Sequence, residues 1–130
     1  MSHANEEILR DLYAVFAKGD IAGFLDGCTD DVTFTVPGRA AVSGSYTKDT
    51  FMDLISVVMG RSGGTFQEDL IDVFANDDHG ALVLIHRFER DGKSRTYQTT
   101  HIVTFDDGKI ATWEELPGNL AEFEAAWGSK

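Results

Sequence analysis

The chain has 130 residues, 42% hydrophobic and 25% charged, the balance of an ordinary globular protein with room for one core but not two. Asp and Glu number 22 against 11 Lys and Arg, and a formal charge of -11 repels phosphate backbones and anionic bilayers, so neither nucleic acid nor a membrane surface is an expected partner. The single Cys28 closes no internal disulfide, no stretch reaches the ~20 apolar residues of a membrane span, and Met1 to Glu7 lacks the basic and apolar segments of a secretory leader. One domain over residues 1–130, in the cytoplasm, is the expectation.

In chain order, Asn5 is placed to cap a helix carrying Glu6 and Glu7 at its positive end, with Ile8, Leu9, Leu12, Val15 and Phe16 at helical spacing. Lys18-Gly19 ends it, and Asp20 caps a shorter helix with Ile21, Phe24 and Leu25, closed by Gly27. Val32 to Val36 alternates as a strand with an apolar face and stops at Pro37-Gly38. Arg39 to Thr47 reads as a loop. Thr47 then caps a helix bearing Phe51, Leu54, Ile55, Val58 and Met59, which Gly60 ends.

From Thr65 the period becomes that of a sheet: Thr65 to Ala75, a turn at Asn76 to Gly80, Ala81 to Arg90, then an Asp91-Gly92 hairpin turn. The next pair flanks Asp106-Asp107-Gly108. Tyr97, Thr99, His101, Val103 and Phe105 share one face, and Ala111, Trp113 and Glu115 share a face of the partner strand. If the two faces coincide, a histidine, a tryptophan and a carboxylate stand on one apolar wall. Pro117-Gly118 breaks the last strand, and Asn119 caps a terminal helix through Leu120, Phe123 and Trp127. Helices followed by a meander predict an α+β domain with helices over a curved antiparallel sheet and an apolar pocket on its concave side.

This order of elements, with Val36-Pro37-Gly38, Gly44-Ser45-Tyr46 before the third helix, and His101 ahead of Gly108-Lys109-Ile110, resembles the SnoaL-like polyketide cyclases of the ketosteroid isomerase and nuclear transport factor 2 superfamily. The resemblance covers nearly the whole chain and implies a cystatin-like cone, three helices in its N-terminal half, a buried pocket and a homodimer formed through the outer sheet face. In such cyclases a carboxylate on the last strand works with a histidine on the strand before it; Glu115 and His101 match those positions, Glu replacing a shorter Asp. The ketosteroid isomerase pattern is departed from: Val36 stands at the base, Leu12 at the helix tyrosine with Tyr13 one position off, and His101 at the protonated aspartic acid. Limonene epoxide hydrolases share the Trp113-x-acid pattern, but Phe34 and Val36 replace their water-positioning pair, and their Arg-x-Asp is absent from Leu84 to Phe88.

Leu82, Leu84, His86 and Phe88 share a strand face, which the resemblance puts in the pocket near His101. A carboxylate desolvated there rises in pKa, a histidine titrates near neutrality, and together they relay a proton at physiological pH. The expected catalytic group is Glu115, His101 and His86, acting without a cofactor on a hydrophobic carbonyl compound by cyclisation or isomerisation. Trp113, Tyr13, Phe34, Val36, Phe88 and Tyr97 are the expected substrate wall.

Two registers stay open, with Glu115 or Glu114 inward, because a one-residue slip flips every side chain. His101 and His86 also fit as core histidines, the wall residues as plain core, and Tyr13 as a surface residue. The competing function is a non-catalytic dimeric domain that binds an apolar metabolite or a partner protein. Two histidines and a carboxylate suggest iron, but the His-x-Asp/Glu spacing is missing and no metal is expected. Cys28 reads as a small buried residue, Arg39 as a candidate at the pocket mouth, and His3 and His79 receive no role.

Overall fold

The computed structural model describes residues 3–130; Met1 and Ser2, part of the segment read above for a leader, lie outside the described residues. The elements run α1 (Ala4–Ala17), α2 (Ile21–Asp26), β1 (Cys28–Val36), β2 (Gly44–Thr47), α3 (Phe51–Ser62), β3 (Gln67–Ala75), β4 (His79–Arg90), β5 (Lys93–Asp106), β6 (Lys109–Pro117) and α4 (Leu120–Trp127). The strands form one sheet in the order β2-β1-β6-β5-β4-β3. Every pair is antiparallel except β1 with β6, which run parallel. The expected α+β architecture holds, with one parallel pair that an uninterrupted meander did not anticipate.

Several local expectations change. The first helix is capped by His3, whose Nδ1 accepts from the Asn5 N–H at 3.0 Å, and Asn5 is buried instead. Its side-chain amide donates to the carbonyls of Asn76 and Asp77 at 3.0 and 3.3 Å, fastening α1 to the turn between β3 and β4. Asp20 and Asn119 do cap α2 and α4, accepting from the N–H groups of Gly23 and Glu122. Thr47 ends a short strand within the Arg39 to Thr47 stretch expected to be loop, and Thr50 occupies the N-cap of α3. That helix passes Gly60 and stops at Gly63, whose φ of 59° is the left-handed conformation that ends helices without a Cβ penalty.

Both Asp-Gly hairpins form, with positive φ at both turn residues: 55° and 74° at Asp91-Gly92, 49° and 79° at Asp107-Gly108. Inward-facing Val32, Phe34, Leu82, Leu84, Val103 and Ile110 are buried under α1 and α3 together with Leu9, Phe51 and Leu54. At Gly80 a Cβ would meet Leu9 Cδ1 at 2.8 Å, so the absence of a side chain there lets α1 lie close on β4.

Two irregularities bend the six-stranded curved sheet and set its chemistry. The β3–β4 register shifts between Leu70 and Asp72, leaving Ile71 unpaired and exposed. The β5–β6 register shifts beside Phe105, leaving Ala111 unpaired, so Ala111 leaves the face assigned to it and Ile110 turns inward. Beyond each bulge every side chain changes face, and each brings one carboxylate inside.

Helix α4 closes the far end. Trp127 stacks on Phe88 with ring centroids 4.0 Å apart, and Phe123 meets Tyr97 edge-on at 5.1 Å. Arg90 donates to the carbonyls of Ala125 and Ala126 and Arg61 to that of Trp127, placing two cations at the negative end of the helix dipole. No helix among the described residues is long and apolar enough to cross a membrane.

Candidate active site

Glu115 on β6 sits directly opposite His101 on β5, and Glu68 on β3 directly opposite His86 on β4. His101 is 1% exposed, His86 3% and Glu115 5%, so the inward register of Glu115 is the one adopted and Glu114 faces out. Glu115 Oε2 accepts from Thr99 Oγ1 at 2.7 Å and lies 3.4 Å from His101 Nε2 and 3.7 Å from His86 Nδ1. His86 Nε2 is 2.9 Å from Glu68 Oε2. The His101 Nε2 contact is close enough for an ion pair, but the N–H is not aligned on the carboxylate, and this buried atom has no hydrogen-bond partner.

Behind each imidazole stands a phenol, and behind each phenol an indole. His101 Nδ1 is 2.6 Å from Tyr13 Oη, which accepts from Trp113 Nε1 at 2.9 Å. His86 Nδ1 is 2.9 Å from Tyr97 Oη, which accepts from Trp127 Nε1 at 2.7 Å. Burial pushes both phenols far above their ordinary range, so both stay protonated.

The expected rise of the Glu115 pKa does not occur. Burial alone would raise it, but the adjacent His101 and His86 and the Thr99 hydroxyl hold the carboxyl down at about 2. For His86, burial favours the neutral form, yet Glu115 and Glu68 outweigh it and the imidazole is raised above its ordinary 6.5. Counter-charges win over desolvation because two carboxylates and two imidazoles share one buried volume, with no Lys or Arg among the residues lining it.

A pH profile of stability follows from these directions. Glu115, depressed in the folded chain, contributes fully above its ordinary 4.5, and that contribution is lost as pH falls toward about 2. At this shift the loss is on the order of 3 kcal/mol. His86, raised in the folded chain, contributes fully below 6.5 and loses its contribution as pH rises through its elevated value. Melting temperature is therefore expected to be highest between these limits and to fall on both sides, whereas a profile that is flat toward acid would contradict the depressed Glu115.

The cavity holds about 60 Å³ and is lined by Tyr13, Val36, Tyr97 and Trp113 of the expected wall, with half-buried Phe16, Ile55 and Phe66 at its rim. Phe34 and Phe88 are corrections: Phe34 is fully buried against Phe51 and Phe88 lies under Trp127, both in core outside the lining. Tyr13, open to a surface reading, is buried inside. Arg39 is exposed and outside the lining, and its backbone N–H donates to Glu124. Cys28 is fully buried, its thiol pushed up to about 11 by desolvation, which leaves it inert as a nucleophile.

Sequence reasoning missed Glu68 and Trp127. Glu68 looks outward if β3 is paired without interruption, and only the Ile71 bulge turns it to His86. Trp127 was read as part of a plain helix; its indole N–H, which needs a buried acceptor, was the signal. One donor atom each from Glu68, His86 and His101 lies within 4.8 Å of the others, a set of metal-ligand type, although His86 already engages Glu68 through Nε2.

This arrangement, helices over the concave face of a curved mixed sheet with a buried ionisable cluster, is the cystatin-like, nuclear transport factor 2-like class of α+β fold. Residues 9–113 match the SnoaL-like domain, and the chain belongs to that family. The uncharacterized protein Rv0034 of Mycobacterium tuberculosis is 28% identical over 127 residues, covering 95% of this chain and 96% of that one. Bal32a, from a soil-derived mobile gene cassette, is similar in structure with a TM-score of 0.88 at 24% identity, covering 95% of this chain and 96% of its own. TerC, co-crystallized with polyporic acid, is similar with a TM-score of 0.82 at 22% identity over 94% of this chain and 96% of its own. These two likenesses carry the fold.

Proposed function

We propose that the chain is a cytoplasmic small-molecule enzyme doing acid–base chemistry, a cyclisation or isomerisation, on a hydrophobic carbonyl compound. The observation that carries this reading is the buried Glu68–His86–Glu115–His101 chain, whose links span 2.9 to 3.7 Å and face an apolar cavity. TerC, similar in fold, was co-crystallized with polyporic acid, and an organic small-molecule ligand is in keeping with this reading.

The roles differ from the simplest expectation. A carboxylate held at about 2 is a weak base, so Glu115 serves by keeping a proton on His86. In an aldol-type ring closure the carbonyl oxygen takes the place of Glu68 at His86 Nε2, and the imidazolium gives it that proton as the carbon–carbon bond forms. The proton released by the enolic partner then returns to the neutral imidazole. His101 Nε2, buried and unpartnered, is the second group available to the ligand oxygen.

The size of the cavity constrains this reading and the non-catalytic alternative alike. A space of about 60 Å³ holds roughly two waters, while sites for organic ligands run to about 300–1,000 Å³, so a ring enters only if the rim aromatics move. The two readings separate by mass spectrometry of compounds released from the purified protein, followed by incubation of the captured compound with the protein in D₂O. An enzyme of this kind is expected to wash deuterium into the position next to the carbonyl, or to convert the compound. A ligand that binds and returns unchanged and unlabelled would make the domain a binder.

We also propose a homodimer through the outer sheet face, where Phe74 and Leu116 are exposed. Sedimentation at micromolar concentration is expected to give twice the chain mass, and a monomer would contradict it.

A further inference from the structure

We infer that Tyr13 and Trp113 are positioning residues that orient His101 with Nδ1 toward the phenol and Nε2–H into the pocket, so that this N–H, which has no aligned partner, is the pocket's donor to a ligand oxygen. The inference deepens the acid–base reading and rests on it only for its catalytic consequence.

Donors and acceptors around the Tyr13 oxygen balance in one way only. An indole N–H only donates, so Trp113 Nε1 uses one lone pair of the Tyr13 oxygen at 2.9 Å. Tyr13 keeps its own proton because burial holds the phenol far above its ordinary range. Among the described residues its oxygen has one other partner, His101 Nδ1 at 2.6 Å, so the hydroxyl proton points there. Nδ1 must then offer a lone pair, and the neutral ring carries its hydrogen on Nε2. The opposite tautomer would aim two donors at the phenol oxygen and strand the hydroxyl proton in a buried site.

The same order recurs at Trp127, Tyr97 and His86. There, however, Glu68 also holds His86 Nε2 at 2.9 Å, so that ring is fixed from both sides. His101 has no such second anchor: its Nε2 is buried without a partner, 3.4 Å from Glu115. Among the described residues Tyr13 makes the one aligned hydrogen bond to the His101 ring, with Glu115 in a longer contact at Nε2, and His86 becomes an internal control. The ligand class that fits an unpaired, buried N–H beside a carboxylate is a neutral oxygen acceptor such as a carbonyl. An anion would be repelled by Glu115, and a cation would need the lone pair that Tyr13 has drawn to Nδ1.

The test is long-range proton–nitrogen NMR on protein labelled with ¹⁵N-histidine, recorded at rising pH until the ring signals stop moving. Wild type is expected to show both rings protonated on Nε2. Y13F is expected to turn His101 into a tautomer mixture and leave His86 unchanged. W113F, which keeps an aromatic ring beside Phe34, is expected to shift His101 in the same sense and less. Protonation of wild-type His101 on Nδ1, or a His101 pattern unmoved in Y13F, would overturn the inference, and the wild-type spectrum alone suffices if the variants fail to fold. Absence of turnover would sink the acid–base reading without touching this one, because the spectra need no substrate.

Discussion

Turnover of the pocket's substrate is expected to fall ~10²–10⁴-fold in Glu115→Gln, with ligand affinity nearly unchanged. Gln matches the volume of Glu and still offers an oxygen to Thr99 Oγ1, so the wall that receives the ligand keeps its shape. What it removes is the negative charge between His101 and His86. Without that charge the desolvation of His86 goes uncompensated on one side, its imidazolium becomes less stable, and the proton needed for the first transfer is present in fewer molecules. Single-turnover rates with the captured compound measure the effect. A rate constant equal to that of wild type would reject any proton-transfer role for Glu115.

The largest expected loss of stability is in Trp127→Ala, about 3–5 kcal/mol, as for truncation of a large buried aromatic residue. The indole is 1% exposed, stacks on Phe88 and also meets Phe66, and its N–H is the donor that Tyr97 Oη accepts. Truncation opens a void between α4 and β4 and leaves a buried phenol oxygen one hydrogen bond short. Urea denaturation measures it; a loss under about 1 kcal/mol would mean that α4 rests on the sheet without supporting it.

The elements of the fold were legible because local patterns decided them. Alternation placed β1, β4 and β5, the two Asp-Gly turns fixed their hairpins, and Asp20 and Asn119 marked helix starts. The site was legible only in half. His86 and His101 follow from strand alternation alone, since β4 and β5 pair without interruption around them. The carboxylates do not. Counted back from the Asp107-Gly108 turn in an unbroken hairpin, His101 would face Glu114, and the extra residue Ala111 moves Glu115 into that place. Counted back from the Asn76 to His79 turn, Glu68 would face Arg87, and Ile71 moves it to His86. A bulge adds one residue to one strand and carries no strong residue signature, so neither shift is visible in a single sequence. Position along a strand was readable, whereas the face presented depended on a defect in the ladder.

The same defects explain why desolvation, the natural guess for a lone carboxylate in an apolar pocket, gave the wrong direction for Glu115. Once the bulges bring two carboxylates and two imidazoles together, the neighbouring charges exceed the burial penalty on Glu115 and on His86. Phe34 and Phe88 show the complementary limit: alternation gave their face correctly, but α3 and α4 cover them with Phe51 and Trp127, which form the wall in their stead.

The most direct measurement is the titration of the His86 ring by NMR in the wild-type protein and in Glu115→Gln. Two carboxylates beside a buried imidazole predict a wild-type midpoint above the ordinary 6.5 and a lower one in the variant. A wild-type midpoint at or below 6.5, unmoved by the substitution, would mean that Glu115 and His86 do not share a proton and that the buried cluster is packing alone.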